Sequence, residues 1–375
     1  MNRNYMHDNW FELNHPEKID SPALLVYLDR ARKNIDKVIQ EVGAAHRLRP
    51  HVKTNKSAEA CQLMIDAGIT AFKGATIAEI ELLASVGAKD VLLAYQPVGP
   101  KIDRFLALVA NYPEVKFKCL IDHVDAAKPL NEKLLEAGLG IGVYIDLNAG
   151  TNRTGIAPGA AAEELFEELV AMEGLNPVGF HLYDGHLRDP DLQKREEACD
   201  AGFAPIAQMR EKLEKKHQVT LDVIAGGSTT FPFHSKRERI TCAPGTFIYW
   251  DEGYASGLPE QSYEYAALVL CRVVSLPTSN YVCVDLGYKA IASENPLNNR
   301  VKFLNAPDLE PVSHSEEHLV LEAKEGHSYK IGDVLYGVPI HICPTVASYQ
   351  EALVIQEGEQ IASWRTIARD RRITF

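Results

Sequence analysis

The sequence predicts an α/β protein: a closed (β/α)8 barrel of the TIM type, followed by a mainly β C-terminal domain. Three observations carry that expectation. Across residues 20–254, short β-branched runs alternate with longer amphipathic stretches, repeating every twenty-five to forty residues. Within the same span Lys53, Arg153, Tyr183, Ser228 and Gly245 all fall where an apolar run gives way to a loop. In a closed barrel such loops gather at one face, whereas an open sheet draws its ligand contacts from two or three loops at a switch point. After Tyr254 helical periodicity fades, and short apolar runs spaced by turn residues take over through residues 255–375.

Taken in order, Ala23-Leu24-Leu25-Val26-Tyr27-Leu28 reads as a strand that could join either part, so residues 1–28 are shared between the two assignments. The run Arg49-Pro50-His51-Val52 reads as β-type, ends at Lys53, and precedes a helix opening near Ser57. Thr76-Ile77-Ala78-Glu79 is a capping box; Ile80, Leu83 and Ala84 form one helical face, and Gly87 stops the helix. Buried strands are expected at Val91–Tyr95, Lys116–Ile121 and Gly142–Asp146. Ala162, Leu165, Leu169 and Met172 mark another helical face, with Glu163, Glu164, Glu167 and Glu168 exposed. Beyond the barrel, Ala266–Leu270, Tyr281–Asp285, His318–Leu321 and Glu351–Ile355 read as strands.

Composition narrows the function classes. The 375 residues suffice for two domains, and 46% hydrophobic content is ordinary for a globular protein. A net charge of −12 with no basic block argues against nucleic acid or an anionic membrane surface as partner. Seven scattered cysteines form no disulfide framework, which points to a reducing compartment. The N-terminal Met1–Asp8 stretch has no apolar core of the signal-peptide kind, and no run has membrane-spanning length, so a cytoplasmic location is expected.

Pro50-His51-Val52-Lys53-Thr54 and His341-Ile342-Cys343-Pro344-Thr345 are the sharpest motifs. With them, Asp285-Leu286-Gly287-Tyr288-Lys289-Ala290 and Ser315-Glu316-Glu317-His318 make the chain resemble the fold-type III pyridoxal-phosphate enzymes, the alanine racemase superfamily. Within it, the resemblance is to the D-threonine aldolase and eukaryotic-type D-serine dehydratase group, from Ser21-Pro22-Ala23 to the C-terminal sheet.

The resemblance implies site roles residue by residue. Lys53 holds the aldehyde of pyridoxal 5′-phosphate, work that needs a primary amine. Lys56, one turn on, reads instead as a solvated charge near the helix start. Arg153, in Asp146-Leu147-Asn148-Ala149-Gly150-Thr151-Asn152-Arg153, corresponds to the arginine on the cofactor's phenolate oxygen. In Gly179-Phe180-His181-Leu182-Tyr183-Asp184-Gly185-His186, Tyr183 corresponds to the residue against the pyridine ring. His181 shares its strand face, either as a cofactor contact or as a satisfied core histidine. His186, beyond the turn, is the candidate general base on a substrate hydroxyl; Asp189 stands where D-threonine aldolases carry a later histidine. Gly227, Ser228 and Thr229 in one turn, with Gly245 and Thr246 in another, form the expected phosphate cradle. Racemases have an arginine two residues before the matching glycine; this chain has Ala243 there, which argues against racemisation by that route.

Pro344 biases Cys343 to extended backbone, which would aim the His341 and Cys343 side chains the same way. That pair suits one divalent metal, zinc first and manganese second. The implied activity is metal-assisted lysis of a D-3-hydroxy amino acid by a homodimer. Retro-aldol cleavage to glycine and an aldehyde is the leading expectation. β-Elimination to a 2-oxo acid and ammonia, racemisation, and a non-catalytic cofactor carrier are the alternatives.

Overall fold

These patterns resolve, in a computed structural model that describes residues 9–375, into strands and helices close to the expected positions. In chain order the strands are β1 (Ala23–Tyr27), β2 (Ala71–Gly74), β3 (Asp90–Leu93), β4 (Lys116–Ile121), β5 (Ile141–Leu147), β6 (Leu175–Leu182), β7 (Asp222–Ala225) and β8 (Ile240–Cys242). They continue with β9 (Ala267–Thr278), β10 (Tyr281–Val284), β11 (Val301–Phe303), β12 (Glu310–His314), β13 (Leu319–Glu322), β14 (Val334–Pro339), β15 (Glu351–Gln356) and β16 (Glu359–Arg365). The α-helices are α1 (Leu28–Val42), α2 (Ala58–Asp66), α3 (Ile77–Ser85), α4 (Pro100–Asn111), α5 (Val124–Glu136), α6 (Ala160–Val170), α7 (Leu192–His217), α8 (Phe231–His234), α9 (Glu252–Gly257) and α10 (Ile342–Ser348). The Met1–Asp8 stretch, read above for a signal peptide, lies outside the described residues. No described helix is long and apolar enough to cross a membrane.

One compact unit comprises Ile35–Phe247 with Asp370–Phe375. Its sheet is wholly parallel, in the order β2-β3-β4-β5-β6-β7-β8, with helices between successive strands. The two edges are joined by residues 48–51, which are not a regular strand. Leu48 bridges Cys242 and His51 bridges Lys73, both in parallel. Arg49 N donates to Cys242 O at 2.8 Å, and Lys73 N donates to Pro50 O at 2.9 Å. The eighth stave is therefore an irregular segment. Lys53 sits in the turn just after it, not at the end of a regular strand as expected.

Side chains crossing the interior show that the barrel is filled. Leu92, Leu120, Tyr144, Ile224 and Ala243 form an apolar layer. At its N-terminal side Asp90 takes Arg49 at 2.7 Å and also pairs with Lys118, while Tyr144 OH donates to Asp222 at 3.2 Å. Gly179 marks a bulge where β6 shifts register against β5. Its φ is +155°, and a Cβ there would collide with the Asp222 carbonyl. Gly179→Ala should therefore cost roughly 2–4 kcal/mol, seen as a lowered midpoint in thermal unfolding; an unchanged midpoint would contradict this account of the bulge.

Two local expectations need correction. The α3 capping box forms, with Thr76 Oγ1 accepting from Glu79 N at 3.1 Å, but Glu79 reaches back to Ala75 N. Moreover, α3 is buried nearly all round, Glu79 and Glu81 included, because Thr374 N of the C-terminal tail donates to Glu81. Lys56 is no solvated charge: it is an ion-pair partner of fully buried Glu79.

The second unit comprises Met1–Asn34 with Ile248–Arg369, described from residue 9. Its sheet runs β12-β13-β10-β9-β1-β15-β16, with β14 also on β9 and β11 on β14. The first strand, left open by the sequence, pairs antiparallel with β9 and parallel with β15. Phe11, Leu25, Tyr27, Leu268, Tyr336 and Ile355 pack one core, and Val273, Val282, Leu286, Phe303 and Leu321 another. The two family segments without an expected role pack on each other. A Cβ on Gly287 would collide with Glu316 O, and Tyr288 N donates to Ser315 O at 3.0 Å. All seven cysteines are free thiols.

Candidate active site

The barrel unit carries most of the expected site at the C-terminal ends of its strands. Lys53 is half-buried, and its Nζ has no hydrogen-bond or ion-pair partner among the described residues; the backbone N alone donates, to His51 Nδ1 at 3.3 Å. Lys56, the other lysine in reach by sequence, is held by Glu79. That contrast separates an available amine from an engaged one.

The loop after β5 is built to present Arg153. Gly150 and Gly155 take φ of +109° and +96°, and a Cβ on Gly155 would meet Asn148 N at 2.6 Å. Gly155 N donates to Asp122 at 2.8 Å and Thr154 Oγ1 to Asp146 at 2.9 Å. So fixed, the Arg153 guanidinium lies 5.0 Å from the centre of the Tyr183 ring, a cation–π contact. Glycine is required around that ring. A Cβ on Gly227 would meet Tyr183 Cε2 at 2.9 Å, and one on Gly185 would collide with the phenol.

His186 is exposed but oriented. Thr151 Oγ1 lies 2.9 Å from Tyr183 O and 3.0 Å from His186 Nδ1. The hydroxyl has one proton; given to the carbonyl, it leaves the oxygen to accept from Nδ1–H. The free lone pair of His186 then falls on Nε2, the form a general base needs. Thr151 was quoted in the loop sequence but given no role there.

The phosphate-cradle candidates leave neighbouring strands, since β7 pairs in parallel with β8 through Ala225 and Cys242. Ser228, Thr229 and Thr246 are all buried, and Thr229 Oγ1 has no hydrogen-bond partner. Gly245 also serves closure: a Cβ there would meet His51 O at 2.7 Å. Ala243 belongs to the apolar barrel layer, so no cation stands at that position.

Beneath these residues lies a charged chain that sequence reasoning missed. Lys73 of β2 is buried, and its Nζ sits 3.2 Å from His181 Nε2, while His181 Nδ1 is 2.7 Å from Asp146 Oδ1. β2 and β6 are not neighbours in the sheet, so this contact spans the interior. Burial, then the charge of Lys53, pulls the Lys73 amine down to about 7, against the pull of Asp146. Burial and Lys73 also push His181 down while Asp146 opposes them. Burial, Lys53 and Lys73 push His51 well below its ordinary range. Asp146 lies low despite its burial, because His181 and Thr154 donate to it. Lys53, Lys73 and Arg153 act around Asp146, so positive charge outnumbers negative within this group. An available amine, unpartnered buried hydroxyl and surplus positive charge fit a phosphorylated carbonyl cofactor.

Two clusters have metal-ligand chemistry. In the barrel unit, Asp184, Cys199 and His234 converge, with His234 Nε2 at 2.8 Å from Asp184 Oδ2 and 3.3 Å from Cys199 Sγ. Arg237 Nη1 lies 2.8 Å from His234 Nδ1. Arginine only donates, so Nδ1 accepts, Nε2 carries the proton and gives it to Asp184. That tautomer has no lone pair for a metal at Nε2. Burial also pushes the Cys199 thiol up to about 12. Thr230 Oγ1 donates to the same Asp184, so the cluster ties the glycine-rich turn to the end of β6.

In the β unit, His341 and Cys343 are hydrogen-bonded to each other, and His341 Nδ1 meets Glu294. The expected extended geometry is not the one found. His341 is extended and caps α10, whereas Cys343 already lies in the helix, since Pro344 fits a first helical turn where its missing N–H costs nothing. The pair converges all the same. Ile342 N donates to Asp251 at 3.1 Å, and Thr345 Oγ1 donates to His341 O at 2.9 Å, fixing this corner. Burial works against the His341 imidazolium, but Cys343, Glu294 and Asp251 carry it up to about 9. Glu294 had no place in the sequence reading.

The match to known proteins extends along the chain. The family described as "Alanine racemase, N-terminal domain" matches residues 26–252, and "Putative serine dehydratase domain" matches residues 266–355. A 3-hydroxy-D-aspartate aldolase of Paracoccus denitrificans (strain Pd 1222) is 26% identical, covering 94% of this chain and 93% of its own. A D-threo-3-hydroxyaspartate dehydratase of Delftia sp. (strain HT23) is 23% identical over 93% of this chain and 97% of its own. The crystal structure of D-threonine aldolase from Filomicrobium marinum superposes with a TM-score of 0.86 at 24% identity, covering 94% of this chain and 95% of that one. The barrel match spans more than half of the sequence and takes in every candidate cofactor-site residue discussed above: the chain belongs to the alanine racemase N-terminal domain family.

Proposed function

We propose that the protein is a pyridoxal-phosphate-dependent, metal-assisted lyase that cleaves D-3-hydroxy amino acids to glycine and an aldehyde. The observation that carries the aldol reading is His186, oriented by Thr151 with Nε2 free, in the loop after β6 that also holds Tyr183, against whose ring Arg153 of the loop after β5 packs. Retro-aldol cleavage needs a base on the 3-hydroxyl; β-elimination needs one at Cα. The aldolase and dehydratase names among the relatives agree that such substrates are handled on this scaffold.

When bound, pyridoxal phosphate supplies an electron sink for the pair left at Cα as a bond there breaks. The rest of the chemistry falls to the protein. Lys53 offers the primary amine that would hold the cofactor's aldehyde. Arg153, always charged, suits the phenolate oxygen, and Tyr183, backed by Gly185 and Gly227, suits the ring face. Ser228, Thr229 and Thr246, with the turns at Gly227 and Gly245, suit the phosphate, while His181 anchors the floor through Asp146. His186 takes the hydroxyl proton as Cα–Cβ opens. His341 and Cys343 would hold the metal, zinc before manganese because of the thiolate, and a Lewis acid there would acidify the hydroxyl. The enzyme works as a cytoplasmic homodimer in this reading.

Elimination is the second reading, favoured by Cys343 and by the match of residues 266–355 to the serine dehydratase domain. Ala243 in the apolar layer speaks against racemisation. A product screen over D-serine, D-threonine and D-phenylserine, with and without chelator, decides among them. Glycine with acetaldehyde or benzaldehyde, lost on chelation, is the expected result; pyruvate and ammonia from D-serine without aldehyde would overturn it. In the same assay His186→Gln should lower kcat by about 10²–10⁴-fold, and an unchanged kcat would remove His186 as the base.

A further inference from the structure

We infer that Lys73 is a positioning residue of the cofactor site: it holds the Nε2 edge of His181, whose tautomer Asp146 sets, and supplies a reversible positive charge on the floor that receives the anionic cofactor. The inference rests on the cofactor reading only for its second half; the tautomer follows from geometry alone.

The chain Lys73 Nζ, His181 Nε2, His181 Nδ1, Asp146 Oδ1 has distances of 3.2 and 2.7 Å at its two ends. Asp146 is ionised and only accepts, so Nδ1 carries a proton. Nε2 then accepts from the ammonium of Lys73. The arrangement holds one positive charge on the Lys73–His181 pair against one negative charge on Asp146. Moving the proton from lysine to imidazole leaves that balance unchanged, so the two groups titrate as a pair.

The groups facing Lys73 set which way it leans. Lys53 and His51 face it from the segment before α2, Arg153 from the loop after β5, Asp146 from β5 and His181 from β6. Arg49 also acts on it but is neutralised by Asp90 of β3. Burial and then the opposing cations make the charge on Lys73 easy to lose as pH rises. A bound phosphorylated ring would tip the balance back, so ligand and proton bind together and affinity falls as the proton leaves.

Pyridoxine 5′-phosphate, which lacks the aldehyde and cannot bond to Lys53, is the probe. Its dissociation constant is measured on the full-length, cofactor-free chain and on Lys73→Met and Lys73→Arg between pH 6 and 9. One charge over roughly 10 Å at an effective dielectric of about 20 is worth about tenfold in affinity. The wild type should therefore bind about tenfold tighter than Lys73→Met at pH 6, with the ratio shrinking towards unity at pH 9. Lys73→Arg, charged throughout, should restore tight binding without that loss. A ratio constant across pH, or an arginine variant that behaves like the methionine one, overturns the inference. ¹⁵N spectra of the wild-type His181 ring give an answer that needs no variant and no cofactor. A protonated Nδ1 with an accepting Nε2 is expected, and the opposite tautomer refutes the role. Should the wild type bind no probe at any pH, the cofactor reading fails by itself while the ring spectra still decide the tautomer.

Discussion

Replacing Cys343 by alanine is expected to abolish the divalent-metal binding proposed for His341 and Cys343 and to cut turnover of D-threonine by about 10²–10³-fold. The cofactor's visible absorbance should survive, because Cys343 lies in α10 of the β unit and Lys53 in the barrel unit. His341→Ala should behave alike. The magnitude follows from losing a Lewis acid worth several kcal/mol at the reacting hydroxyl. Metal analysis with the absorbance spectrum separates two outcomes. Lost metal with retained colour supports the assignment; retained metal would contradict it. A carrier of the cofactor would show no functional change in either variant.

Lys53→Ala should be more damaging still, lowering activity at least about a thousandfold, since in the proposed reaction this side chain would anchor the cofactor. Lys56→Ala is its control. That substitution leaves buried Glu79 without its cation, so it should cost stability before it costs chemistry. A variant at residue 56 that folds and loses the cofactor's colour, beside a residue 53 variant that keeps it, would reverse the assignment.

Strands of both units were legible because their signal is periodic. Lys116–Ile121 is a strand with the expected bounds, and β5, β10, β13 and β15 differ from expectation by a residue or two at their ends. The site loops were legible for a different reason: Gly150, Gly155, Gly185 and Gly227 stand where a Cβ would strike a neighbour or strain the backbone, so their spacing records geometry. What stayed hidden depends on partners far off in sequence. Lys73, between Phe72 and Gly74 in a four-residue strand, has the look of a surface charge until β6 places His181 opposite it, 108 positions away. Its inward phase in a barrel strand was the one available signal. Glu294 meets His341 across a gap of 47 positions. Glu79 and Glu81 lie beside the Ile80, Leu83 and Ala84 face, and Lys56 and the C-terminal tail explain their burial. Cys343 misled because a proline pushes its predecessor towards extended backbone in general, yet is well tolerated in a first helical turn.

Borohydride reduction of the protein loaded with pyridoxal phosphate, followed by peptide mass mapping, tests the central claim most directly. A single pyridoxyl group on the Lys53 side chain, with the yellow absorbance bleached in step, is the predicted result. A label on Lys56 or Lys73, or no label on a protein that nonetheless turns over D-threonine, would contradict it.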